Sequence, residues 1–181
     1  IAATGADLAA DPVLGHVALT LDGILTACES WGDETGEGAA GDLFATTVEA
    51  VGEEHERVVD AMGDDPTGDR PATAAVLDRF EAAPERVGAL VGASLVLDRT
   101  LLQAVNFFVN EADQRRADIV RDARAAANTV GDEAAVALDE VCADEADREA
   151  ATTAACEVVD AAYGEYVDAL DALGIDPKPV C

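Results

Sequence analysis

From Pro84 to Leu173 no second proline intervenes, and the only glycines are Gly88, Gly92, Gly131 and Gly164. A stretch so free of breakers, and so rich in alanine, can hardly be anything but helix, because alanine is the best helix former and nothing in the run enforces a turn. Gly131 is the one interruption near the middle. The spacing therefore predicts two helices of forty-odd residues, one from Pro84 to about Val130 and one from Asp132 to about Leu173, each more than about 60 Å long at 1.5 Å per residue. A hairpin turning at Gly131 sets residue i opposite residue 262 − i, so that Leu101 meets Ala161 and Arg116 meets Ala146.

The first third of the chain predicts two shorter helices. One starts after Asp11, an N-cap followed by Pro12, and carries Val13, Val17, Leu21, Ile24, Leu25, Cys28 and Trp31 at helical spacing before Gly32 ends it. The other runs from about Asp42 to Met62 with Phe44, Val48, Val51, His55, Val58 and Met62 along one stripe. Loops rich in Gly, Pro and acid separate them, and a short helix over about 72–82 precedes Pro84. Val87 to Val109 is apolar nearly all round and needs neighbours on several sides, whereas residues near the Gly131 turn offer little bulk to bury.

These elements predict an all-α fold of a single domain over 1–181: an up-down four-helix bundle with a core of about 11–109 and 154–174. An Ala-rich hairpin of two long helices, about 111–153, is expected to project from it. The apolar share of the chain, 50%, is enough for a core at this length. No repeat of 20–50 residues and no low-complexity linker divides the chain.

Charge narrows the partners. With 11 Lys+Arg against 38 Asp+Glu the formal charge is −27, only one lysine is present (Lys178), and no positive residue precedes Arg57. Phosphate binding needs a basic patch that releases counterions, so nucleic acid is excluded as a partner. The densest positive cluster, Arg115, Arg116, Arg121 and Arg124, is interleaved with Asp113, Asp118 and Asp122 and reads as intrahelical pairing. The composition resembles that of proteins from extreme halophiles, which identifies no family but implies a salt-rich cytoplasm. Repulsion within a chain of −27 is screened at molar salt, where the Debye length is about 3 Å, so folding should depend on salt.

No transmembrane span is expected. The most apolar stretch, Val87 to Val109, carries Asp98 and Arg99 at its middle, each costing about 2.5–3.5 kcal/mol at a bilayer centre. The first residues carry no basic leader region, but the sequence opens on Ile1 rather than Met, which leaves open an upstream segment that is missing or removed. Cys28, Cys142, Cys156 and Cys181 are spaced too widely for a zinc motif and are expected as reduced thiols. A bridge between Cys28 and Cys156, which fall at similar levels, is the alternative.

Signatures of nucleotide, hydrolase and metalloprotease chemistry are missing: no GxxxxGK[ST], GxGxxG, GxSxG, HExxH, CxxC or EF-hand loop occurs. The helix plan is similar to that of the ferritin-like superfamily, which implies a di-iron site built from Glu and Glu-x-x-His ligands. The ligands depart from it, since His16 is preceded three residues back by Val13 and His55 by Gly52, and no histidine follows His55.

The two histidines still define a candidate site. With the first two helices antiparallel, His16 lies about 6 Å from one end of its helix and His55 about 12 Å from the matching end of the other. At the same levels fall Gly92, Ser94, Tyr163 and Tyr166. This polar layer could be satisfied core; it could also bind a small planar ligand, or a transition metal completed by Glu54 or Glu56. No cofactor is otherwise expected. The leading functional expectation is a helical interaction or accessory protein, self-associating as a homodimer or docking another protein, with a metal- or small-ligand-binding bundle as the alternative.

Overall fold

The computed structural model describes residues 9–63 and 65–175, and among them it contains six helices and no strand. The fold is all-α. In chain order the helices are α1 (Ala10–Thr35), α2 (Ala39–Met62), α3 (Ala72–Leu77), α4 (Ala83–Asn110), α5 (Gln114–Val141) and α6 (Glu145–Ala172).

The two expected rods of forty-odd residues are in fact three helices of 28 residues each. The first break falls at 111–113. Ala112 takes a left-handed backbone (φ 58°), its N–H and that of Asp113 close back on the carbonyls of Val109 and Phe108, and the Asp113 carboxylate then caps α5 by accepting from Arg116 N at 3.1 Å. The second break falls at 142–144, where the Asp144 side chain accepts from Asp147 N and the Asp147 side chain accepts from Ala143 N at 2.8 Å, a reciprocal cap. Gly131 makes no turn. It sits inside α5, and a methyl placed there would lie 2.9 Å from Ser94 Cβ, so this glycine allows α4 and α5 to approach closely.

The expected projection is therefore not seen. α5 runs back antiparallel along α4, with Ala117, Val120, Ala123, Ala127, Val130, Ala134 and Ala137 buried as one stripe and Arg124 Nε donating to Asp98 Oδ1 at 2.8 Å. α1 and α2 are antiparallel too, Met62 reaching Gly15 and Leu25 reaching Gly52. In cross-section α1 neighbours α2 and α4, and α5 neighbours α2 and α4. Between them lies one core, with Leu14, Leu21, Phe44, Leu90, Leu97 and Phe108 buried. Burying one such side chain contributes roughly 1.5–3 kcal/mol.

Other boundaries shift less. α1 starts at Ala10 with Ala9 at its N-cap, so Asp11 belongs to its first turn, and it continues through Gly32 to stop at Gly36 (φ 70°). α2 starts at Ala39 and stops at the left-handed Gly63. α3 is shorter than expected, and Glu85 caps α4 by accepting from Ala82 N at 3.1 Å.

α6 packs on α4 away from α5, runs parallel to α4 and adds only Ala154 and Val158 to this core. Only Ala151, Ala154 and Val158 of its 28 residues are buried. α3 wedges between α1 and α6.

Candidate functional site

A concavity lies where α6 meets α4. α4 carries Gly88 and Gly92, and α6 carries Ala151 and Ala155, one helical turn apart on each side. A methyl added at Gly88 would run into the Ala151 carbonyl, and one at Gly92 would lie 2.5 Å from Ala155 O. The backbones are in near contact there. At the next turn the facing residues, Val96 and Val159, are branched, and both line the concavity beside the seam.

This concavity is an open groove of about 910 Å³. Its floor is α4 from Leu95 to Glu111, about 24 Å of helix, its walls are α1 and the outer half of α6, and Thr73 of α3 closes it below. Leu95 (59% exposed), Val159 (41%), Tyr163 (47%) and Tyr166 (47%) leave large apolar surface in contact with water. The two tyrosine rings are 6.4 Å apart, tilted by 33°.

Polar groups line the same groove. His16 of α1 faces it, and burial holds its imidazole pKa below the usual value while the Glu165 carboxylate opposes that shift. Glu165 is held in turn, since Oε2 accepts from Ala72 N at 3.0 Å and so ties α6 to the start of α3. Arg99, 79% exposed, stands on the floor. Its neighbour Asp98 is 3.8 Å away and already pairs with Arg124 at 2.8 Å.

Of the residues singled out by sequence, the structure gathers His16, Tyr163 and Tyr166 on this groove. It does not bring the others there. α2 contributes no residue to the groove, and with Met62 opposite Gly15 and Gly52 opposite Leu25, His55 faces the level of residue 22, about 9 Å along the axis from His16. Glu54 is bound by Arg57 at 2.8 Å, and Arg57 also holds Asp122 at 2.6 Å, which links α2 to α5. Burial raises the Glu54 pKa and Arg57 opposes it. Glu56 is exposed. Gly92 meets Ala155, and Ser94 is buried against Gly131. Among the described residues no three of His, Cys, Asp and Glu come together to hold a metal ion.

The thiols of Cys28, Cys142 and Cys156 are free. Cys28 is buried in α1, its pKa pushed up to about 12 by burial and by Glu29, whereas Cys156 is exposed. Cys142 caps α5 and is buried; Cys181 lies outside the described residues.

Sequence reasoning missed the α4 floor, including Leu95, Arg99 and Phe107. The signal was the all-round apolarity of 87–109, which demands neighbours on every side. α4 is also the one described helix long and apolar enough to cross a membrane by length and composition (mean hydropathy 1.3 over its best window), and 56% of that window is buried within the fold.

Comparison with models of protein families, with curated proteins and with solved structures gives no match for this chain.

Proposed function

We propose that this is a helical accessory protein of a salt-rich cytoplasm that acts by docking a helical segment in the groove between α1, α4 and α6. One observation carries the reading: a 24 Å channel whose floor sets Leu95, Val96, Ala104 and Phe107 among polar side chains, beside a helix of 28 residues that buries only three. Apolar surface gathered in a groove with a polar rim is a common feature of interaction sites in soluble proteins. The dimensions suit a helix. A rod of that length and about 10 Å diameter occupies roughly 1,900 Å³, so one sunk to half its depth would fill nearly the whole groove. Helix-in-groove recognition uses apolar anchors at i, i+3, i+4 and i+7, and Leu95, Val96 and Phe107 on the floor with Val159 and Tyr163 on the wall supply matching contacts.

The test is fluorescence anisotropy at molar KCl with a labelled model helix of about 18 residues bearing one Leu/Ala stripe and otherwise Gln and Ser. The parent protein is expected to bind it and Leu95→Asp to lose it, with sedimentation run alongside. No binding by the parent, together with a strict monomer, would overturn the reading.

A further inference from the structure

The charge around the groove says which helix it takes. Resting on the docking reading above, we infer that the occupant is an amphipathic helix of another protein whose apolar stripe is flanked by Lys and Arg, and not a second copy of this chain. From Glu149 to Ile175 no basic residue occurs, while Glu157, Asp160, Glu165, Asp168 and Asp171 do. Of these acids Glu165 lines the groove itself, and α6 from Glu149 onward offers no base to offset it. On the α4 side Glu111 adds a carboxylate, Asp98 being already paired with Arg124, against the single groove-lining cation Arg99. A second copy would bring its own α6, with the same carboxylates and no base, against these.

A basic helix finds partners at each edge. Tyr163 and Tyr166 are half-exposed with rings 6.4 Å apart, so both offer ring faces on which a guanidinium or ammonium can sit, and Glu165 lies between them in sequence on the same wall. Arg99 is the exception that sets direction: as the one groove cation, it pairs with an acid at one position of the incoming helix and so fixes which way the helix lies. At molar salt the long-range field is screened, and contacts at the groove edge carry the preference.

The experiment uses three labelled helices with the same apolar stripe and Lys/Arg, Gln/Ser or Glu on their flanks, plus a basic peptide of scrambled order without the stripe. All are titrated into the parent protein, into Tyr163→Ala/Tyr166→Ala and into Glu133→Gln, a distant acid on α5. The basic helix is expected to bind about tenfold tighter than the neutral one, the sum of a few contact ion pairs and cation–π contacts, with the acidic helix weakest. The double tyrosine variant should erase most of that margin, and Glu133→Gln should leave it intact. Equal binding of basic and neutral helices would overturn the charge inference and leave the docking reading standing. Equal binding of the scrambled basic peptide would overturn the inference by showing that charge acts without the groove. Failure of every helix would overturn both.

Discussion

α4 has two long neighbours and treats them differently. Against α5 it stays close along its whole length, because α5 presents alanine or valine at every third or fourth position from Ala117 to Ala137 and glycine at 131. Against α6 the tightest approach, backbone on backbone, falls at Gly88 and Gly92. There the facing Ala151 and Ala155 give way, a turn later, to Val159, Tyr163 and Tyr166. The same device, small residues that let backbones meet, makes a closed seam where it is repeated and a groove where it stops.

Glycine substitutions separate the two seams most sharply. Gly88→Ala and Gly92→Ala set a methyl against α6 backbone that cannot rotate away, and each should cost about 2–3 kcal/mol in urea unfolding at fixed salt. Gly131→Ala meets Ser94 Cβ at 2.9 Å and Oγ at 3.4 Å, so α4 and α5 must move slightly apart, but no backbone atom is struck and about 1 kcal/mol of alanine propensity offsets the cost, leaving a loss smaller than at Gly88 or Gly92. Equal losses at all three sites would mean that the α6 seam is no tighter than the α5 seam.

Lowering the salt should open one seam before the other. The outer half of α6 carries acids without bases, whereas α5 is tied to its neighbours by Arg124–Asp98 and Arg57–Asp122. Limited chymotrypsin digestion at low ionic strength is expected to cut at Tyr163 and Tyr166 well before Phe107 and Phe108. Simultaneous cutting would contradict the asymmetry.

Smaller effects follow on the open side. Gly164→Ala has nothing within 4 Å and should stabilise by about 0.5–1 kcal/mol through helix propensity alone. Leu95→Asp, already exposed, should move stability by no more than about 0.5 kcal/mol while abolishing helix docking. His16, whose folded pKa lies below its ordinary 6.5, makes the unfolded chain the better proton acceptor, so stability should fall as pH drops through and below 6.5. His16→Gln should flatten that slope in thermal melts taken across the range.

The all-α class and the first two helices were legible in periodicity, whereas the Asp11 cap and the Gly32 stop were not, since α1 begins at Ala10 and runs through Gly32 to Thr35. The path of the second half was not, and the reason is local chemistry. The turn at 111–113 places alanine, not glycine, in the left-handed position, so its only sequence mark is the capping Asp113. Meanwhile Gly131, the conspicuous breaker, is a packing residue. Once the turns move, α5 folds back over what looked like a projection, and the polar layer divides: His16, Tyr163 and Tyr166 share the groove, while His55 stays with α2. The groove floor could not be seen until α6 was known to follow α4 in parallel.

Amide hydrogen exchange at molar KCl, with and without the basic model helix, addresses the groove most directly. Added protection should fall on 95–111 of α4 and 159–166 of α6 and leave α2 and α5 unchanged. Protection gained along α2 or α5, or none anywhere despite binding, would contradict a docking channel between α1, α4 and α6.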